Sequence, residues 1–115
     1  MATTREVEAK LRDLIARLAG AEEAQASLAR TLPEPRVVAV RVPDLDADYW
    51  TLMEAGRMED IHRGAPEKAD IKIRVDSDTL VAIVNGEASL FSAFVSGQVK
   101  IEAGISDLLR LRKLA

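Results

Sequence analysis

Over residues 71 to 114 the apolar residues switch period from two to 3.6, back to two and again to 3.6. That switch restricts the chain to a sheet with helices laid across one face. Ile71, Ile73 and Val75 alternate with Lys72 and Arg74, the pattern of a strand with one covered face. Asp76 or Ser77 then supplies a cap for a helix whose stripe is Leu80, Ile83 and Val84, and Asn85-Gly86 ends it. Ser89 opens a second helix, in which Leu90 faces Phe94 and Phe91 faces Val95 at i, i+4, with Gly97 as its stop. Val99 and Ile101 alternate with Lys100 and Glu102 in a further strand. Ser106 or Asp107 starts a last helix carrying Leu108, Leu109, Leu111 and Leu114.

The first half supplies the other elements. Val7, Leu11, Leu14, Ile15 and Leu18 recur at helical spacing between a Thr3 or Thr4 cap and Gly20, which predicts a helix over 4–19. Residues 21–30 continue as a shorter, Ala-rich helix anchored only by Leu28, and Pro33 and Pro35 break the chain after it. Val38, Val40 and Val42 mark a first strand, and residues 43–48 a turn. Residues 49–55 form a second strand, with Trp50 and Leu52 on one face and Thr51 and Met53 on the other. A hairpin turn over 54–57 uses Gly56, and Met58 to Arg63 reads as a third strand. Strands and helices are grouped and do not strictly alternate, so the fold class is α+β, with five strands. Residues 1–115 read as a single domain, with N-terminal helices over 1–32 and the sheet and its covering helices over 36–115.

Few reaction chemistries fit the residue inventory. The chain has no cysteine, which removes disulfides, thiol catalysis and Cys-based metal sites. His62 is the one histidine and lies among Glu59, Asp60 and Arg63, the setting of a solvated residue; no Ser/His/Asp arrangement can be assembled around it. Asp44, Asp46 and Asp48 alternate in one turn, but Leu45 and Ala47 are interleaved. The glycine and the twelfth-position glutamate of a calcium loop are missing. No glycine-rich phosphate cradle is present. The expectation is therefore no enzyme, no catalytic residue, no metal and no cofactor. With a net charge of −3, nothing global pulls the chain toward nucleic acid or anionic lipid, and no nucleic-acid partner is expected. Arg110, Arg112 and Lys113 form a small basic end that complements a helix C-terminus, with a weak membrane contact as the alternative. The longest uncharged run, Ala88 to Val99, is too short to span a bilayer, which takes about 20 residues, so stable membrane insertion is not expected. The first ten residues are charged and carry no export signal, and the last four do not form a peroxisomal address, so the expected location is cytoplasmic. Aromatic residues make up only 3%, so the apolar material is mainly aliphatic and would build a smooth wall with few polar handles.

Three segments carry a resemblance. Ala69-Asp70-Ile71-Lys72-Ile73-Arg74-Val75-Asp76-Ser77-Asp78-Thr79-Leu80, then Ile83-Val84-Asn85-Gly86-Glu87-Ala88, then Phe91 through Glu102 with its Ser96-Gly97 turn, resemble in order the strand, helices, glycine stop and last strand of the sterol carrier protein 2 domain family. The likeness is to its short stand-alone bacterial versions, and Ile105 to Leu111 fits them as well. Residues 36–64 match only in strand pattern and in the Gly56 turn.

The resemblance implies a five-stranded mixed sheet covered by helices, with an apolar tunnel between sheet and helices, and binding of fatty acids, fatty acyl-CoA, sterols or phospholipids, with intracellular lipid transport as the role. It transfers no headgroup contact, because the family has little shared polar chemistry at the tunnel. The residues expected to bind the ligand are Leu80, Ile83, Val84, Phe91, Phe94, Val95, Leu108 and Leu111 from the helices, with Trp50 and Leu52 lining the tunnel from the sheet. The alternative is an interaction or dimerisation module with a collapsed pocket, whose apolar helices form a homodimer or dock on a partner enzyme.

Overall fold

The computed structural model describes residues 2–112, with the side chains of Leu111 and Arg112 left outside the description. Helix α1 spans Thr4–Gly20, with the Thr3 side chain accepting a hydrogen bond from the Glu6 N–H as its cap. Helix α2 spans Glu22–Thr31. Strand β1 (Arg36–Val42) leads through a 3-10 turn at Pro43–Leu45 into β2 (Ala47–Glu54). After the Gly56 turn come β3 (Arg57–Met58) and β4 (His62–Arg63), then β5 (Ile71–Val75). Helices α3 (Ser77–Val84) and α4 (Leu90–Val95), strand β6 (Val99–Ala103) and helix α5 (Ile105–Arg112) complete the fold.

The sheet runs in the order β3-β2-β1-β5-β6, with β4 also paired to β2. β1 and β5 are parallel, and the other pairs are antiparallel, which makes the sheet mixed. Side chains alternate across the sheet. Val38, Val40 and Val42, Tyr49, Thr51 and Met53, Ile71, Ile73 and Val75, and Val99 and Ile101 therefore share one face, in register across the strands. The helices lie on that face. Val7 and Leu11 of α1, Leu80 and Val84 of α3 and Ala93 of α4 form one buried cluster with Val42, Tyr49, Val75 and Val99. Leu32, Val38, Met53 and Ile71 form a second, at the other end of the strands.

The third strand departs from the expectation of one run over Met58 to Arg63. β3 pairs Met58 with Met53, while β4 pairs His62 with Trp50 and Arg63 with Tyr49, so the register slips by one residue in between. The extra residue is a bulge. Thr51 Oγ donates to the Glu59 carbonyl at 2.7 Å, and the Glu59 N–H reaches the Leu52 carbonyl. A one-residue slip exchanges the two faces of a strand. Here it turns Arg63 inward and leaves His62 on the outer face.

Gly56 has a positive φ of 79°, and a Cβ there would stand 2.2 Å from the Gln25 carbonyl oxygen of α2. The turn expected at that position thus needs glycine twice over, for its backbone and for its packing. Helix α3 is held at its start from outside: Asp44 in the 3-10 turn accepts from both the Ser77 N–H and the Ser77 hydroxyl.

Candidate functional site

Three rows of side chains cross the covered face of the sheet. The row Val42, Val75, Val99 is buried in the first cluster, and the row Val38, Ile71 belongs to the second. Between them lies Val40 opposite Ile73 opposite Ile101, and all three keep part of their surface exposed. Ile73 and Ile101 pack against both clusters at once. The middle row therefore joins the two clusters along an apolar seam and is itself only partly buried.

The helices wall this seam unequally. Leu80 and Val84 of α3 are 8% and 4% exposed, so they belong to the core, and Ile83 is half-buried at its edge. In α4 only Ala93 is buried, while Phe91, Phe94 and Val95 are 61%, 45% and 69% exposed. Helix α5 reaches the opposite end, with Leu108 37% exposed. It is pinned by Asp107, which accepts from Arg36 Nε at 2.9 Å and from its Nη2 at 3.0 Å. This two-point pair holds the Asp107 carboxyl below the usual carboxylate range, the guanidinium hydrogen bond outweighing the opposing effect of burial. The side chain of Leu111, also expected at the site, lies outside the described residues.

Trp50 and Leu52 need a correction. Tyr49, Thr51 and Met53 point to the helices, so the two residues between them point to the outer face of the sheet. Trp50 stacks there on His62, with ring centroids 4.2 Å apart. They stand across the sheet from the seam and do not line it. Either alternate set of β2 is apolar enough to be the covered one, and the covered phase is fixed by pairing with Val38, Val40 and Val42.

Sequence reasoning also missed the polar end of the middle row. Tyr49 is the β2 partner of Val40, and its hydroxyl donates to Glu8 of α1 at 3.1 Å. Arg63 closes on the other Glu8 oxygen through Nη2 at 2.7 Å and Nε at 3.1 Å. Glu8 is buried, and the Arg63 hydrogen bonds hold its carboxyl below the ordinary value although burial opposes them. Burial, and then the negative Glu8, push the Tyr49 hydroxyl up to about 12. The only sequence signal for this trio was the polar Glu8 between Val7 and Leu11 on a helix face.

Two open grooves lie at the surface, the second of them bordered by Ile73 of the middle row. One, of about 620 Å³, runs along Thr4, Arg5, Glu8, Ala9, Arg12 and Arg63. The other, of about 480 Å³, lies on the outer face between Arg41, Asp48 and Lys72 and the loop over 65–70. Both are lined largely by charged side chains. Among the described residues, no three His, Asp or Glu gather as metal ligands.

Solved structures with the same arrangement are distant in sequence. Palmitated SCP2L2 from Aedes aegypti aligns over 98% of this chain and 94% of its own at 10% identity, with a TM-score of 0.64. A conserved hypothetical protein from Thermus thermophilus, described as possibly a sterol carrier protein, aligns over 100% and 82% at 20% identity, with a TM-score of 0.63. The sec-alkylsulfatase Pisa1 from Pseudomonas sp. aligns over 70% of this chain at 22% identity, with a TM-score of 0.54, but this covers only 13% of that enzyme. No curated protein matches the sequence. The profile of the SCP-2 sterol transfer family matches residues 4–115, so the chain belongs to that family.

Proposed function

We propose that this chain is a non-catalytic lipid carrier of the cytoplasm, which takes up the hydrocarbon of a fatty acid, fatty acyl-CoA, sterol or phospholipid along the Val40–Ile73–Ile101 row. The incomplete burial of that row, where it joins two buried clusters, carries the reading. Apolar surface left open at the centre of a core is unfavourable unless something fills it. A chain of about 14 carbons buried there would contribute roughly 10 kcal/mol before its ordering cost, at about 0.8 kcal/mol per methylene. Helices α4 and α5 are the walls that must adjust to it, which fits their exposed Phe94 and Leu108.

The test is displacement of a fluorescent fatty acid by unlabelled lipids, for the wild type and for a variant in which Ile101→Trp fills the edge of the seam. Saturable binding by the wild type and at least a tenfold weaker Kd in the variant are expected. An unchanged Kd would move the site elsewhere. A second reading, docking on a partner enzyme or on another copy of the chain, is favoured by the exposure of Ile105 and Leu109 on α5. It becomes the better one if a broad lipid panel gives no saturable binding while the protein self-associates.

A further inference from the structure

The two edges of the sheet are unlike. At one edge, β3 and β4 have two residues each, and the bulge between them interrupts the ladder. Such a break spoils an edge for further pairing. At the other edge, β6 runs for five residues in unbroken register with β5, from Val99 opposite Val75 to Ala103 opposite Ile71. It contains no proline, and among the described residues no strand pairs with its far side. A row of unpaired backbone groups of this kind is a template for another strand. The side chains of β6 restrict the partner. Lys100 and Glu102 stand on the outer face, and neither forms an ion pair among the described residues. Lys100 also lies directly opposite Arg74, a like charge, which opposes pairing within the sheet. Helices α4 and α5 join the two ends of β6. Both lie on the covered face, α4 through Ala93 and α5 through the Asp107–Arg36 pair. Phe94 and Val95 of α4 and Ile105 and Leu109 of α5 are about half exposed or more.

We infer that β6 pairs antiparallel with β6 of a second copy of this chain, about a two-fold axis through Ile101, so that two sheets join edge to edge. The register is what selects a second copy. Residues directly opposite each other in an antiparallel pair share a face, so a symmetric pair is centred on one residue. Centred on Ile101, it sets Lys100 opposite Glu102 of the second copy, Glu102 opposite its Lys100, and Val99 opposite its Ala103. Centred one residue to either side, it sets Lys100 against Lys100 or Glu102 against Glu102, like charges that oppose pairing. The favoured register also gives the Arg74–Lys100 row a counter-charge, from Glu102 of the second copy. A five-residue strand pair by itself buries less than the roughly 800 Å² per partner of a stable interface. The helices add to it on the covered face. The axis brings the end of β6 that follows α4 beside the end that precedes α5 of the second copy. The exposed apolar residues of α4 thus come next to those of α5, twice by symmetry. The inference goes beyond the carrier reading and does not depend on it, since it concerns the strand edge and not the ligand.

Sedimentation velocity of the full chain over a range of concentrations tests it. A reversible dimer is expected of the wild type. Lys100→Glu and, separately, Glu102→Lys each set two like-charge pairs across the axis, and each should weaken the dimer about tenfold or more. An equimolar mixture of the two variants should recover it. One variant is then negative at both positions and the other positive at both, so every pair across the axis is complementary again. Both positions are exposed on the outer face, and circular dichroism melts confirm that the variants fold. A wild type that stays monomeric at every concentration overturns the proposal. So does a dimer that either reversal leaves intact, or a mixture no more dimeric than the separate variants. Fatty-acid binding keeps the two readings apart, because the reversals leave Ile101 and the seam untouched and should change that affinity by no more than a few-fold. Saturable lipid binding by a monomeric wild type would keep the carrier and remove the dimer. A dimer that passes the mixing test without binding lipid would keep the edge pairing and remove the carrier.

Discussion

The two faces of this sheet are built from the same six strands, one residue out of phase, and they are nearly opposite materials. The helix-covered face is Val, Ile, Tyr and Met, in rows that continue from strand to strand. Its charges are held at two points, as in Arg36–Asp107, where both are largely buried, and Glu8–Arg63, where Glu8 is buried and Arg63 exposed. The outer face carries Arg41, Lys72, Arg74, Lys100 and Glu102, with Trp50 and His62 stacked among them. Residue type alone does not decide the side, since Trp50 and Leu52 are as apolar as Tyr49 and Met53. The difference lies in what each residue meets, and strand pairing sets that.

The sharpest way to break this comparison uses two neighbours of similar size. Met53 is buried in the second core cluster, whereas Leu52 lies on the outer face. Met53→Ala should cost about 2–5 kcal/mol, the usual cost of emptying a core position. Leu52→Ala should cost under about 1 kcal/mol, as at a surface site. Urea midpoints of the two variants measure the difference, and equal losses would mean that both faces are covered in solution.

Much of this arrangement was legible in the sequence. Period-two alternation placed β5 correctly, because its outward residues are charged and leave one possible phase. The caps at Thr3 and Ser89 and the glycine stops of α3 and α4 were legible for the same local reason. What failed was non-local. In β2 both alternate sets are apolar, so the phase depended on β1, and Trp50 and Leu52 fell on the wrong face. The bulge over 59–61 depends on the Thr51 hydroxyl reaching across the strand pair, and Arg36–Asp107 joins residues 71 apart. The stripes of α3 and α4 look alike in sequence. Yet α3 has eight residues and an external cap from Asp44, while α4 has six and rests on Ala93, so one is core and the other surface.

A second, smaller difference between the faces is in their response to acid. Asp107 has its carboxyl lowered mainly by the hydrogen bonds from Arg36. A carboxyl whose folded pKa lies below its unfolded value adds stability above the unfolded value, about 4, and that stability is lost as pH falls through the folded one. Asp107→Asn should therefore lower the melting temperature at neutral pH, and its deficit relative to wild type should narrow as the pH falls below about 4. Asp48, paired with Arg41 on the outer face, is a partly exposed surface partner. Asp48→Asn should change the melting temperature at neutral pH little, as expected of a partly exposed ion pair. Parallel pH-dependent melts of both variants decide the matter. A large, pH-dependent loss in the Asp48 variant would erase the distinction between the faces.

The smallest effect is expected at His62. The bulge turns it to the outer face, where its side chain is exposed and its ring lies on Trp50. Its strand neighbour Arg63 takes the inward place beside Glu8. His62 therefore stands across the sheet from the Val40–Ile73–Ile101 row and has no path to a ligand bound there. His62→Ala should leave fatty-acid affinity within a few-fold, a change of under about 1 kcal/mol. It should still alter the emission of Trp50, the one tryptophan, because the stacked ring is gone. Those two readouts divide the outcomes: a changed spectrum with unchanged affinity is what the two-faced sheet requires. A hundredfold loss of affinity would mean that the outer face takes part in binding, and would return Trp50 to the ligand site.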